Sequence, residues 1–308
     1  MNPSRLIKIL LVITGLLAFA ILAFFLLHRP KHPQTPFISA VDTAEKITLQ
    51  TGPARIELDR DGTSWTVSTS SGVERYNADP DKIKTLETGL RNINVEDVIS
   101  DRPDRAAEFE VNPESATHIT VYGKNATLLA EGIFGKQVPD FIHLYFKFPG
   151  QPDIYLARGA IRGELGEPVL KGWRDHSLLN VAEDQILNLS IQGPGFKTVL
   201  VRSSDTWSCN GKNVNPTLAW GMLGVLAHLK ADDFADLSQH PELAAGKLKY
   251  AEVSVKLRDG SSHSVHIGLL DKKTQRYPVA VDNDPSVAWV VEGTVKSFLK
   301  KPADFNPK

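Results

Sequence analysis

Apolar and polar positions along this chain follow two periods, and the switch between them marks out a unit that occurs twice. Residues 47–49, 54–58 and 65–67 are short runs of period two, separated by the turns Thr51-Gly52-Pro53 and Asp59-Arg60-Asp61-Gly62, which predicts an antiparallel meander. The period then changes. Asp79 offers a capping side chain ahead of Pro80, and Ile83, Leu86, Leu90 and Ile93 follow at 3, 6, 10 and 13 residues, so a helix with one apolar stripe is expected over 79–93. Period two returns at 95–99. After an acidic, proline-containing stretch at 101–113 it returns again at 117–122, 127–134, 141–148 and 154–156.

The same order repeats about 140 residues later. Strands are predicted at 186–191, 198–201 and 206–209, and Asn215-Pro216 then opens a helix over 216–230. Its Ala219, Met222, Leu226 and Leu229 stand at the same four offsets from the proline. An irregular link at 232–246 leads to strands at 252–257, 263–269, 277–281 and 288–291. Trp65 and Trp207 close corresponding strands, and the acidic pairs Glu96-Asp97 and Asp232-Asp233 follow each helix. Ile119 with Val253, Val121 with Val255, Tyr155 with Trp289, Gly159 with Gly293, Ile161 with Val295, Leu165 with Leu299 and Pro168 with Pro302 are all 134 apart. Strands and helices in this order lack the alternation of a parallel doubly wound sheet. The expectation is an α+β fold of two tandem duplicated modules, each an antiparallel sheet with one main helix, ending in small helical segments at 159–165 and 294–300. The first module is placed at 41–170, a junction at 171–184 and the second module at 185–308.

Ahead of the modules the pattern is different. Residues 9–27 contain no charge over 19 positions, which at about 1.5 Å per helical residue is nearly the 30 Å of a bilayer core. A cleaved signal peptide has a shorter apolar region ending in small residues, whereas this one ends in Phe24-Phe25-Leu26-Leu27, so an uncleaved single-pass anchor within 1–31 is the favoured reading. Arg5 and Lys8 flank one side and Arg29 and Lys31 the other, so loop charge alone does not orient it. An anchor with few preceding residues usually leaves the body exported, which points to the bacterial inner membrane with an extracytoplasmic, periplasmic body. Residues 32–40, rich in proline, read as a stiff spacer.

Composition changes little in this picture. The chain is 42% hydrophobic and 23% charged, within the range of globular proteins. Four of its 35 Lys and Arg residues precede position 32, leaving 31 against 36 acidic residues in the body, a net charge of −5. Nothing in that balance suggests a nucleic-acid footprint, which would need a basic stripe. The single Cys209 allows no internal disulfide and reads as a small buried hydrophobe beside Trp207.

Several features together resemble the bacterial family known as domain of unknown function 4340: the amino-terminal anchor, the strand ending in Trp65, the Ala78-Asp79-Pro80 helix start, Phe109-Glu110-Val111 with Pro113, Gly135 after a strand, the central run from Trp173 through Arg174, Asp175, His176 and Ser177 to Leu178-Leu179, and Trp207 with the second helix. The resemblance covers roughly residues 40–300. It departs near Pro113, where similar sequences often carry a glycine and a leucine and this chain has Glu110, Val111 and Asn112. Members look like accessory proteins of ABC transport systems, some linked to gliding motility. The resemblance therefore implies permease or ATPase subunits as partners, and no catalysis.

Candidate chemistry is sparse. Gly193-Pro194-Gly195 lacks the spacing of a dinucleotide fingerprint, and neither a lysine-bearing phosphate loop nor a serine nucleophile elbow occurs. His263 and His266, three apart in a strand, point to opposite faces and cannot share a metal. Asp175-His176-Ser177 has the residue types of a hydrolase triad, but adjacent residues do not generally reach triad geometry. Trp173, with Arg174 and Asp175, is better placed to fix the junction of the modules. The acidic pairs lack the alternating ligands of a calcium loop and read as solvated. Asn125 and Asn188 head glycosylation sequons, which matter only in a eukaryotic secretory pathway. Phe134, Phe141, Tyr145, Phe146, Phe148 and Tyr155 form an aromatic cluster that reads as a binding platform, since alternation along 141–148 gives two faces, one in the core and the other an exposed aromatic patch. The sequence thus favours a non-enzymatic anchored interaction protein, without metal or cofactor, that contacts a transporter or another envelope protein. The alternative is a binding module for a glycan, peptide or lipid at a groove between the modules, with Trp173, Arg174, Asp175, His176, Phe141, Tyr145 and Phe148 as the residues to examine.

Overall fold

In a computed structural model, the described residues are 17 and 35–305, apart from 71, 73, 160, 162–167 and 205. The expected anchor lies outside them except for Leu17, as does most of the expected helix at 159–165. Among the described residues no helix is long and apolar enough to cross a membrane. The chain divides into two compact units, residues 1–175 and 176–308.

In the first unit the strands are β1 (Thr35–Pro36), β2 (Lys46–Thr51), β3 (Ala54–Asp61), β4 (Ser64–Thr69), β5 (Arg75–Asn77), β6 (Asn94–Ser100), β7 (Thr117–Tyr122), β8 (Leu128–Gln137), β9 (His143–Lys147) and β10 (Ile154–Arg158). The helices are α1 (Pro80–Arg91) and the single turn α2 (Leu170–Trp173). One antiparallel sheet runs in the order β1-β6-β10-β9-β8-β7-β2-β3-β4-β5.

The second unit contains β11 (Ile186–Gly193), β12 (Phe196–Ser203), β13 (Thr206–Cys209), β14 (Lys212–Asn213), helix α3 (Pro216–Ala227), β15 (Asp233–Phe234), β16 (Ala251–Leu257), β17 (Ser262–Ile267), β18 (Arg276–Val281), β19 (Ala288–Val291) and helix α4 (Glu292–Phe298). Its sheet order is β14-β13-β12-β11-β16-β17-β18-β19-β15. Read from the far end, each strand takes the place of the strand nine earlier in the first unit. The fold is therefore α+β, mostly antiparallel, and the repeat seen in the pattern is a repeat of topology. Only β1 has no counterpart.

Local chemistry explains the shared helix. The Asp79 carboxylate accepts from the backbone N–H of Asp81 at 2.9 Å and of Lys82 at 3.2 Å, and the Asn215 side chain accepts from Thr217 N–H at 2.9 Å. Proline follows each cap, at a position whose N–H has no helical partner. All eight stripe residues are buried, although the helices end at Arg91 and Ala227, so Ile93 and Leu229 reach their cores from the segments that follow. A further pair recurs that the pattern did not single out. Arg60 stands opposite Trp65 and Arg202 opposite Trp207 across the β3–β4 and β12–β13 hairpins. Arg60 stacks on Trp65 at 4.7 Å and donates to Glu87 of α1 at 2.8 Å, whereas Arg202 stacks on Trp220 of α3 at 4.9 Å.

Each sheet has a second face, and the irregular link covers part of it. Phe109 and Val111 pack with Ala106 on Ile133, Tyr145 and Ile154 in the first unit, while Leu237, Ala245 and Leu248 pack on Ala280 and Val287 in the second. The 134-residue register slips by one from β17 onward: Ile119 lies opposite Gly132, but Val253 lies opposite Val265 rather than His266. Tyr155 lies opposite core residue Phe146, but Trp289 lies opposite Pro278, on the face of Ala280. A slip of one residue turns a strand side chain to the other face.

Candidate functional site

The residues of the central motif are structural anchors of their own units. Trp173 ends α2, is 2% exposed within the first unit's core, and its carbonyl accepts from the N–H of Asp79, the helix cap, at 2.9 Å. Lys82 donates to the Gly172 carbonyl and lies 5.8 Å from the Trp173 ring. Arg174 is buried with its guanidinium 3.8 Å from the Tyr76 ring centre and forms a backbone bridge with Ala78, and Asp175 N–H donates to the Asn77 carbonyl at 2.8 Å. These residues close β5 onto the start of α1.

His176 belongs to the second unit. Its Nδ1–H donates to the Ala231 carbonyl at 2.9 Å, its own carbonyl accepts from Ala231 N–H at 2.7 Å, and its ring meets Phe234 edge-on at 5.2 Å. Ser177 bridges to Lys230 and Leu178 N–H donates to the Leu229 carbonyl. The adjacent triad-like residues are thus shared between two units, with the His176 ring oriented by backbone.

The aromatic strand divides differently from its pattern. Phe146 is buried against Phe37 and Phe134, and Phe148 meets Phe146 edge-on at 4.8 Å and Tyr155 at 5.5 Å. Tyr145 points to the opposite face, where an exposed patch was expected. Phe109 covers it there at 4.7 Å, because the 101–113 link crosses that face. Phe141 lies outside β9, in the β8–β9 turn, and is 76% exposed, followed by Ile142 at 51%.

That turn is the most built surface feature among the described residues. The Asp140 carboxylate accepts from Ile142 N–H at 2.9 Å and His143 N–H at 3.0 Å with one oxygen, and contacts His143 Nδ1 at 2.5 Å with the other. His143 Nε2 lies 3.4 Å from Glu96 of β6, whose second oxygen is 3.7 Å from Arg158 Nε of β10. The His143 contact, with the two amides, holds the Asp140 carboxyl down at about 2. Phe141 N–H donates to the Val138 carbonyl, its carbonyl accepts from Gln137, and Gly159 N–H donates to the Ile142 carbonyl at 2.8 Å. Phe141 itself has a φ of 60°. A bulky side chain rarely occupies that region without surroundings that over-determine it. The cluster draws on β6, β9, β10 and the turn before β9; the pattern did not single it out, and the local signal for it is the Pro139-Asp140 pair.

Two concave surfaces add to the inventory. In the first unit, Glu45, Lys46, Thr48, Arg55, Asp59 and Tyr122 line a hollow of about 760 Å³, crossed by ion pairs of Lys46 with Glu57 and Asp59. In the second, Leu243, Leu248, Tyr250, His266, Leu269 and Pro278 line a cleft of about 740 Å³. His263 pairs with Asp282 at 2.8 Å, apart from His266. Among the described residues no group of three or more His, Cys, Asp or Glu could hold a metal ion. Of the acidic pairs, Asp232 accepts from Val291 N–H at 2.8 Å and Asp233 from Phe234 N–H at 2.9 Å. Cys209 is buried, and burial raises its thiol above the usual range.

The family model described as "Domain of unknown function (DUF4340)" matches residues 65–250, more than half of the chain, and the protein belongs to that family. No curated protein and no solved structure matches it.

Proposed function

We propose that this member of the family is a non-enzymatic, membrane-anchored extracytoplasmic interaction protein of the bacterial inner membrane, whose partners are permease or ATPase subunits of an ABC transport system or another envelope protein. The observation that carries the reading is the charge-free run at 9–27 ahead of two copies of one sheet scaffold. The polar groups of the central motif support it. Arg174 is stacked on Tyr76, and His176 Nδ1 is given to a backbone carbonyl. The transporter context comes from the resemblance of the motifs around Trp65, Asp79-Pro80 and Trp173. The full chain, isolated through a tag from membranes in mild detergent, is expected to bring permease and ATPase subunits with it. Recovery of the chain alone under the same conditions overturns the reading.

A second reading, a binding module for a glycan, peptide or lipid, has one observation in its favour, the cleft of about 740 Å³ in the second unit. Native mass spectrometry separates the two. A small molecule retained by the purified chain and lost on Leu269→Glu, at the exposed rim of that cleft, favours the second reading.

A further inference from the structure

The Phe141–Ile142 turn presents two large apolar side chains to solvent from a backbone that is tied at every step. Exposed apolar residues on a mobile loop are common, but here the conformation is enforced by Asp140, Gln137 and Gly159, with Phe141 held at a positive φ. Two adjacent exposed apolar side chains held in one conformation form a small contiguous patch, the kind of surface that marks contact sites.

Sheet register shows where this point lies relative to the entry of the chain. Pro36 pairs with Asn94, Asn94 with Arg158, and Arg158 with His143, so one row crosses β1, β6, β10 and β9. Three strand spacings of about 4.8 Å place His143 roughly 14 Å from Pro36. The turn projects one residue beyond His143, past the end of the sheet. Leu27, the last residue of the charge-free run, is eight residues before Thr35. At no more than about 3.6 Å per residue, that stretch spans at most about 29 Å. The tip therefore belongs to the end of the sheet nearest the tether, within reach of whatever holds residues 9–27. Arg158, exposed beside it, faces Glu96 with its Nε at 3.7 Å and keeps the rest of its guanidinium toward solvent, while the charge of Asp140 is taken up inside the turn by two amides and His143.

We propose that Phe141 and Ile142 insert into the interfacial layer of the bilayer that holds residues 9–27, giving the body a second point of contact and a fixed tilt on the membrane. This rests on the reading of 9–27 as an anchor. A rigid Phe-Ile pair suits the boundary between headgroups and acyl chains, where an apolar body needs only shallow burial.

The test uses the full chain reconstituted in vesicles of phosphatidylethanolamine and phosphatidylglycerol. Phe141→Cys is labelled with an environment-sensitive fluorophore, Cys209 being buried, and Leu128→Cys serves as the comparison. Leu128 is 54% exposed at the opposite end of β8, nine residues and about 30 Å from Gln137. Lipid contact predicts a blue-shifted emission at 141 that loses most of its intensity to headgroup-borne nitroxide lipids, while the label at 128 keeps its intensity. Equal quenching at both sites overturns the proposal, as does a blue shift at 141 that nitroxide lipids leave untouched, which indicates a protein surface instead. Release of the chain from the vesicles by alkaline carbonate overturns the anchor reading itself, and with it this contact, so the two failures are distinguishable.

Discussion

Two residues in unusual local settings give opposite expectations. Glu110 has a φ of 52°, in the left-handed region that favours glycine. A non-glycine side chain in the left-handed region costs about 1–2 kcal/mol, and glycine's greater freedom in the unfolded chain returns about 0.5–1 of that. Glu110→Gly is therefore expected to stabilise the first unit by up to about 1 kcal/mol, read as a raised urea midpoint at constant slope; a lowered midpoint would mean that the side-chain contacts of Glu110 outweigh the strain. Asp140 works the other way. Its carboxyl is held at about 2 against an ordinary 3.8, chiefly by the hydrogen bond to His143. A depressed folded value means that its stabilising contribution is fully present above pH 4 and is lost as pH falls through about 2. Asp140→Asn keeps an acceptor for the amides but removes the anion facing His143. Faster amide exchange at Ile142 and His143 at neutral pH, with the melting temperature nearly unchanged, is the expected result. Unchanged exchange would place the rigidity of the turn in its backbone bonds alone.

At the scale of elements, the joint between β1 and the sheet decides how the tether meets the body. Phe37 follows β1 and packs edge-on against Phe134 at 5.2 Å and Phe146 at 5.7 Å, and it fits because β8 carries Gly132 beneath it. A Cβ at 132 would stand 2.4 Å from the Phe146 ring and 2.8 Å from Phe37. Gly132→Ala is expected to cost about 1–3 kcal/mol by overpacking, measured by thermal denaturation. No loss would show that the aromatic trio has slack. The same joint shows what the sequence made legible. The helices could be read from Asp79-Pro80 and Asn215-Pro216 because capping is settled within four residues. β1, β5, β14 and β15 could not, since strands of two or three residues exist only through their partners. Tyr145 was read onto an open face because the link that covers it through Phe109 is distant in sequence. Of the Asp140, His143, Glu96 and Arg158 cluster, only the turn is local; its other members meet through sheet register, which no spacing along the chain reveals.

At the scale of the molecule, duplication carries a thermodynamic consequence. Each unit's principal core is assembled from its own residues, around Leu86, Leu90, Phe134 and Trp173 in the first and around Trp207, Leu223, Leu226 and Phe298 in the second. Each helix is capped from within its unit, and the same strand order closes each sheet. Units of this size bury roughly two thirds of their unfolded surface, enough for independent stability. Residues 35–175 and 176–308, expressed separately, are each expected to unfold in one cooperative transition. Leu223→Ala removes a fully buried side chain from α3 and should lower the stability of the second fragment by about 2–5 kcal/mol. If the second fragment instead has no cooperative transition, its core is incomplete without the first, and the repeat records a duplicated topology that has lost its independence. Two cooperative fragments would make each repeat a folding unit in its own right, so that the tether, Phe37 and the Phe141 tip can be altered in the first without disturbing the cleft of the second.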